Sequence, residues 1–311
     1  MNQNIQHSKI ATLTRCENNP ILLPDSQCPW QSVHVSNAGA TIHNDKVHLL
    51  YRAEGEEKRS SAPHWWVAQI GMAISKDGLN FTERGTTPAL SLKAAKGTVI
   101  NPDGVEDPRI TKIDDTYYIV YAITSIEGDR IALSTTKDFK TFEHHGLIMG
   151  HISQRTAGLF SEKINGKYVM IHRITPNIWV SETEDFKTFT NSRPIITTKD
   201  VPWCHIKLGI AGPPIKRKDA WALIFHGKDK DSVYRLGIAW LDLKNPAKVL
   251  KIQMEPLLEP APGVESKGGF LNNIVYSCGQ VIKAGKVIVY YGAGDAELYA
   301  ATMPESALDL F

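Results

Sequence analysis

Residues 115–122, DTYYIVYA, decide the fold: a turn residue is followed by an unbroken aromatic and β-branched run. Such a run is too short for a helix and predicts a buried strand that follows a hairpin turn. Four other segments of the same length align with it by eye, at residues 45–52, 166–173, 219–226 and 285–292, and each begins with Asp or Gly. The chain is therefore predicted to repeat one strand-rich unit.

A second repeated element follows three of these segments. Residues 75–81 read SKDGLNF, and KDFKTF at 137–142 and EDFKTF at 184–189 echo them. Each is typical of a strand end, a polar turn and an aromatic that starts the next strand. Repeats of roughly 50 to 70 residues without helical patterns favour an all-β fold, a five-bladed β-propeller with a central-channel active site, as one domain over residues 1–311. Chance similarity among strands of a sandwich or a two-domain β protein is the alternative.

Composition narrows the class of partner. The 311 residues are 42% hydrophobic and 22% charged, with 35 Lys and Arg against 33 Asp and Glu, a net charge of +2. No block of one sign suggests a nucleic-acid or membrane surface, so a small or charged metabolite is the expected partner. The four cysteines have no metal-site spacing, and the first residues do not resemble a signal peptide. We expect a cytoplasmic protein with no metal and no organic cofactor.

The eighth positions of the five aligned segments should meet at the channel of a propeller, where the innermost strands converge. These positions hold Arg52, Ala122, Arg173, His226 and Gly292. Cationic groups at the ends of apolar strands need partners, because an isolated buried charge is costly. An anionic ligand is one such partner.

Acidic groups flank the same level of the predicted channel. The string Glu106-Asp107-Pro108-Arg109 precedes the second aligned segment, and Pro108 favours an extended conformation for Asp107. Asp295 follows a glycine-rich stretch that lets the backbone approach a ligand. Carboxylates and arginines at one channel mouth suit a sugar or phosphate substrate. The alternative is that Glu106, Asp107 and Arg109 form structural ion pairs between blades.

Tryptophans give a weaker signal. Trp65, Trp66 and Trp203 lie in stretches that read as loops. Exposed indole faces commonly stack on sugar rings, but Trp residues in loops also serve local packing. The sequence leaves these two roles open.

Four strings together resemble glycoside hydrolase family 130: LLYRAEG at 49–55, GVEDPRI at 104–110, KLGIAGPPI at 207–215 and YYGAGD at 290–295. The resemblance covers about residues 18–299. It implies a five-bladed propeller and an inverting reaction in which inorganic phosphate attacks a β-mannoside and releases α-mannose 1-phosphate. The family also contains inverting β-mannosidases, so hydrolysis on the same fold is the alternative. Further alternatives are another type of five-bladed sugar enzyme and a non-catalytic propeller that binds glycans or proteins.

The resemblance also implies roles for individual residues. Asp107 matches the proton donor, which acts through a mannose hydroxyl. Arg155, Arg173, His226 and Lys207 match phosphate-binding positions, and Asn37, Arg52, Glu106, Arg109 and Asp295 are the expected substrate-binding residues. The context of Arg155 departs from the family, since Ser161 stands where proline is common. The expected partners are a β-mannoside and inorganic phosphate. The linkage, β-1,4 or β-1,2, and a homo-oligomeric state stay open.

Overall fold

The computed structural model describes residues 10–310, which form an all-β structure. The strands are β1 (Thr14–Arg15), β2 (His34–His43), β3 (Lys46–Lys58), β4 (Trp66–Ser75), β5 (Glu83–Arg84), β6 (Pro102–Ile113), β7 (Thr116–Ser125), β8 (Arg130–Thr136), β9 (Glu143–Leu147), β10 (Ala157–Leu159), β11 (Tyr168–Ile174), β12 (Asn177–Thr183), β13 (Thr190–Ile196), β14 (Lys207–Ile210), β15 (Ile215–Lys216), β16 (Trp221–Lys228), β17 (Tyr234–Leu241), β18 (Val249–Ile252), β19 (Val275–Lys283), β20 (Lys286–Ala293) and β21 (Glu297–Pro304). Four single-turn 3₁₀ segments, at Pro29–Gln31, Leu92–Ala95, Thr198–Asp200 and Glu305–Leu308, are the helical elements of this range. No helix within it has the length and apolarity needed to cross a membrane.

The strands fall into five antiparallel groups in chain order. Group I comprises β2–β5, group II β6–β9, group III β10–β13, group IV β14–β18, and group V β19–β21 with β1 added beside β21. Groups I and II are joined into one eight-stranded sheet by a single parallel pair between Ala68 and Gly104. Group V combines the first strand of the described chain with the last three.

All five aligned segments form strands, namely β3, β7, β11, β16 and β20. In groups I, II and V a tight hairpin connects the preceding strand to the aligned one. Asn44 and Asp45 before β3, and Ala284 and Gly285 before β20, have consecutive positive φ angles, as two-residue hairpin turns require. In the sheets, each aligned segment thus lies beside the strand that begins its group (β2, β6, β10, β14 or β19), and its placement on the innermost strand was wrong.

The second repeated element also has one structure in its three copies. Asp77, Asp138 and Asp185 each accept two backbone N–H bonds at 2.8–2.9 Å from the residues two and three positions later. These bonds close the same turn in DGLNF at 77–81 and in the two DFKTF copies, and they lower the pKa of Asp138 to about 2. The predicted polar turn after three of the strands is confirmed.

Five apolar clusters lie between consecutive groups. The pleat of a strand sends neighbouring side chains to opposite faces, so Leu49 packs toward group V while Leu50 packs toward group II. The clusters pair groups I and II, II and III, III and IV, IV and V, and V and I. Burying each large aliphatic side chain contributes about 1.5 to 3 kcal/mol. Packing therefore links every group to the next and the last to the first.

The first strands of the groups approach each other closely. Strands β2, β6 and β19 are in mutual contact, and β10 contacts β6. A side chain on Gly39 in β2 would place its Cβ only 2.4 Å from the Pro108 carbonyl oxygen in β6, so glycine is required for this approach. The ends of these strands therefore bring distant parts of the sequence to one place.

Candidate functional site

One cavity of about 510 Å³ opens where the first strands of the five groups end. Seven of the ten residues predicted for the site line it: Asn37, Arg52, Asp107, Arg155, Arg173, Lys207 and Asp295. They come from all five groups or the loops that border them. Glu106, Arg109 and His226 do not line it.

Two carboxylates and their partners form one side of the cavity. Asn37 Nδ2 donates to Asp107 Oδ1 at 2.9 Å and to Asp295 Oδ1 at 3.3 Å. Arg52 Nη2 lies 3.0 Å from Asp295 Oδ2, and its Nη1 lies 3.5 Å from Asp107 Oδ1. These four residues, the carboxylate cluster, present fixed acceptors and donors of the kind that bind sugar hydroxyls.

Irregular backbone places three of these side chains. Asn37, Asp107 and Asp295 have φ angles of 51°, 54° and 55°, in the left-handed region that non-glycine residues seldom occupy. The extended conformation expected for Asp107 before Pro108 was therefore wrong. The pairing of β2 with β3 shifts register around Asn37, and that of β6 with β7 shifts around Asp107. Bulges of this kind aim a side chain off the regular pleat, and strained residues cluster at functional sites.

Arg52 is fully enclosed at the base of the carboxylate cluster. Burial opposes its charge, but Asp295, Glu54 and Asp107 outweigh burial and raise its pKa. Glu54 lies 3.8 Å from the Arg52 Nε and also contacts His34 at 3.0 Å. The guanidinium therefore stays charged and holds both cavity carboxylates.

Cations line the cavity as well. Arg173 is only 6% exposed, yet within residues 10–310 no carboxylate lies within 4.0 Å of its guanidinium or of the Lys207 ammonium. Burial, followed by the charges of Arg173, Lys228 and Arg155, lowers the pKa of Lys207 to about 8. Like charges at buried and half-buried positions without carboxylate partners are suited to bind an anion.

Arg155 differs from its two neighbours because carboxylates already hold it. Its Nη2 contacts Glu106 Oε1, and its Nε lies 3.5 Å from Asp129 Oδ2. Burial, followed by repulsion from Arg52 and Arg59, lowers the Arg155 pKa. Its side chain remains 29% exposed and faces the cavity.

Glu106 and Arg109 lie behind the cavity wall. Arg59 Nη2 donates to Glu106 Oε2 at 2.7 Å, so Glu106 is part of a buried ion network. Arg109 donates to the backbone carbonyls of Ala211 at 2.7 Å and of Asp107 at 3.0 Å. The string that carries Asp107 thus contains one cavity residue between two residues that fix its surroundings.

His226 is completely buried beneath the part of the cavity that Arg173 and Lys207 line. Its ring lies 4.2 Å from that of Tyr276, and neither ring nitrogen has a hydrogen-bond partner among the described residues. Burial, then the charges of Arg173, Arg109 and Lys207, lower its pKa well below the ordinary value, so the imidazole is neutral. In this conformation it does not reach the cavity.

Sequence reasoning did not single out Lys228, Tyr234 and Tyr276, which also line the cavity. Lys228 follows the fourth aligned segment by two positions, which is the signal that could have identified it. Tyr276 lies opposite Gly292, the eighth position of the fifth segment. Burial, then the Asp107 charge, raise the Tyr276 pKa to about 12, so its hydroxyl stays protonated.

The three tryptophans considered as sugar-stacking residues, Trp65, Trp66 and Trp203, have different environments. Trp65 lines the cavity and packs edge-on against Phe270 at 4.9 Å. Trp66 packs against the same Phe270 and does not line the cavity. Trp203 stacks on Phe225 at 5.7 Å. Only Trp65 among them is placed to contact a bound ligand.

Comparisons with known proteins agree with the resemblance. The family model of glycoside hydrolase family 130, described as beta-1,4-mannooligosaccharide phosphorylase, matches residues 8–311. Two proteins from Thermoanaerobacter sp. (strain X514), named 1,2-beta-oligomannan phosphorylase and beta-1,2-mannobiose phosphorylase, are 39% and 41% identical, each over 94% of this chain and 97% of the relative.

A solved structure is similar over nearly the whole chain. It is the beta-1,2-mannobiose phosphorylase from Listeria innocua in complex with beta-1,2-mannobiose, with a TM-score of 0.82 and 27% identity, over 95% of this chain and 98% of that one. A family model that matches from end to end, relatives near 40% identity and a shared fold agree with the four sequence strings. The chain belongs to glycoside hydrolase family 130.

Proposed function

We propose that the protein cleaves β-mannosides with inorganic phosphate and inverts the anomeric centre to give α-mannose 1-phosphate. The observation that carries this proposal is one cavity in which the carboxylate cluster occurs together with the buried Arg173 and the half-buried Lys207, which lack carboxylate partners in the described chain. An inverting glycosidase needs an acid and a base that activates water. A phosphorylase needs the acid alone, because phosphate arrives as an anion that cations must hold.

In the proposed reaction, a phosphate oxygen bonds to the anomeric carbon as the bond to the glycosidic oxygen breaks. Asp107 supplies the proton that the leaving oxygen takes up, by way of a mannose hydroxyl, and is left as a carboxylate. Asn37, Arg52 and Asp295 bind the mannose, supported by their contacts with Asp107 and with one another. Fixing the two reactants in one orientation lowers the barrier by avoiding the entropy cost of their encounter.

We assign phosphate contact to Arg155, Arg173 and Lys207, the three predicted cations that line the cavity. Arginine places phosphate by bidentate bonds, whereas lysine acts as a point charge. His226, which is neutral and enclosed, supports the floor below Arg173. Glu106 and Arg109 position their neighbours Arg155 and Asp107.

We further propose that the linkage cleaved is β-1,2. The names of both relatives near 40% identity, and that of the Listeria innocua enzyme, specify β-1,2-linked mannosides. The description of the family model specifies β-1,4 linkage, but it applies to the family as a whole. The relatives near 40% identity therefore have more weight than a Ruminococcus albus beta-1,4-mannooligosaccharide phosphorylase, which is 30% identical over 90% of this chain.

The fold we propose for this activity is one five-bladed propeller that forms a single domain. Groups I to V would be the blades, supported by their cyclic order of packing from I to V and back to I. The pairing of β1 with β21 would close the ring, as propellers combine strands from both chain ends. The cavity would then lie at one mouth of the central channel.

The experiment is incubation of the purified protein with β-1,2- and β-1,4-mannobiose, each with and without inorganic phosphate. Phosphorus NMR reports mannose 1-phosphate and its anomeric form, and chromatography reports free mannose. We expect α-mannose 1-phosphate from the β-1,2 disaccharide only when phosphate is present. Free mannose in the absence of phosphate would instead establish the hydrolase.

A further inference from the structure

A carboxylate beside Arg155, one of the cations proposed to bind phosphate, has no role in the proposed reaction. Asp129 lies in the loop between β7 and β8, with Oδ2 at 3.5 Å from the Nε of Arg155. Its backbone carbonyl accepts bonds from the Gln154 N–H at 3.1 Å and from Arg130 Nη1 at 2.9 Å. The loop is thus attached to the segment that carries Arg155.

The two carboxylates on Arg155 differ in their freedom to leave it. Glu106 is fully buried and also interacts with Arg59 at 2.7 Å and Arg52 at 3.8 Å, so other cations balance its charge. Asp129 is 30% exposed, and Arg155 is its one ion-pair partner within residues 10–310. Asp129 can therefore turn to solvent when another anion binds Arg155, whereas Glu106 cannot.

The charges around Asp129 point to the same pocket. Burial raises its pKa and the charge of Asp107 adds to this effect, while Arg59, Arg173 and Lys207 oppose it. Two of those cations are assigned to phosphate above. A carboxylate that is affected by them will also repel a phosphate anion that they hold.

From this geometry we propose that Asp129 competes with inorganic phosphate for Arg155 and so raises the phosphate concentration at which the enzyme works. The inference rests on the proposed phosphorolysis. Phosphate must displace Asp129 from the Nε of Arg155 and remain near its charge, and both effects weaken binding. The carboxylate cluster that is proposed to bind the mannoside contains neither Asp129 nor Arg155, so the affinity for mannoside should not change.

The test compares Asp129→Asn with Asp115→Asn, a matched loss of charge at an exposed position in the β6–β7 hairpin. The amide is nearly isosteric, so position is kept and charge is removed. We expect the KM for phosphate to fall by about three- to tenfold in Asp129→Asn, with the KM for β-1,2-mannobiose within about twofold of wild type. Asp129→Ser, which also removes the charge, serves if the first variant does not fold.

Titration of inorganic phosphate into the protein without mannoside, followed by calorimetry, gives a second readout that needs no turnover. Tighter phosphate binding by Asp129→Asn than by Asp115→Asn supports the competition. Equal or weaker binding overturns it and shows that Asp129 instead orients Arg155. If wild type hydrolyses mannobiose without phosphate, the proposed function fails while the titration still decides the competition; absence of phosphate binding in both variants rejects both.

Discussion

His172 Nδ1 lies 3.1 Å from Gln154 Oε1, so a hydrogen bond joins the two residues that immediately precede Arg173 and Arg155. The other ring nitrogen, Nε2, lies 2.8 Å from the Ser181 hydroxyl. Burial lowers the His172 pKa to about 4, so the ring is neutral and donates from Nδ1 to the amide oxygen. The two arginines proposed to bind phosphate are therefore held in register by a buried bond that neither of them makes.

Replacing this histidine should disturb phosphate binding more than mannoside binding. His172→Leu leaves the Gln154 oxygen without a partner, while the Ser181 hydroxyl keeps its contact with Ser192, and the loss costs about 1 to 3 kcal/mol in unfolding free energy. We expect a several-fold rise in the KM for phosphate, a smaller change for β-1,2-mannobiose, and partial rescue by His172→Gln. His145→Leu, at an exposed hairpin histidine, is the control. Equal rises in both KM values would contradict a positioning role.

Asp107→Asn tests the proton donor. The amide can still accept the bond from Asn37, but it cannot supply a proton, so kcat should fall by about 10²- to 10⁴-fold. Calorimetry should show mannobiose binding within a few-fold of wild type. Retention of turnover in this variant would exclude Asp107 as the acid. If the wild type has no turnover and Asp107→Asn binds mannobiose as tightly as the wild type does, the protein is a binding protein.

Arg173→Lys tests whether the buried guanidinium places phosphate. Lysine keeps the charge but loses the planar pair of donors, so the KM for phosphate should rise by about tenfold or more. Arg193→Lys makes the same exchange at an exposed position in β13. Matching values for the two variants would mean that phosphate binds elsewhere.

The lowered pKa of Lys207 predicts a pH dependence. Below about pH 8 the side chain is an ammonium ion that attracts phosphate, and above it the charge is lost. The KM for phosphate should therefore rise between about pH 7.5 and 9.5, the range around the Lys207 pKa of about 8. An ordinary lysine would lose its charge only near pH 10.4. Lys207→Arg stays charged throughout and also corrects for the ionisation of phosphate itself. Parallel profiles for wild type and Lys207→Arg would disprove the assignment.

The strand repeat was readable because a hairpin followed by a buried strand has a strong local signature. Asp77, Asp138 and Asp185 even repeat the same turn bonds, so the spacing of the three copies reported real structural equivalence. The alignment of the five eight-residue segments does not indicate the order of strands within a group. A short strand such as β10 (Ala157–Leu159) has little pattern of its own, and the longer, more apolar second strand was taken for the innermost one.

In the candidate site, too, some residues were predictable from the sequence and others were not. Residues that keep the regular pleat, such as Arg52 and Arg173, could be aligned from the repeats. In the string Glu106-Asp107-Pro108-Arg109, a bulge sends Asp107 into the cavity and its charged neighbours behind the wall, and alternation along the strand does not predict that. Burial beneath Tyr276 likewise removed His226 from the lining, because packing between groups decides it.

The pairing of Thr14 with Thr302 has a consequence for biosynthesis. Strand β1 leaves the ribosome before the other described strands, whereas its partner β21 is made after all of them. The nascent chain can therefore assemble groups I to IV in order of synthesis, while group V waits for residues from both ends. Such a long-range pairing is entropically expensive and slow to form. Until it forms, β21 has an unpaired edge, and this interval is when the newly made protein is most exposed to aggregation.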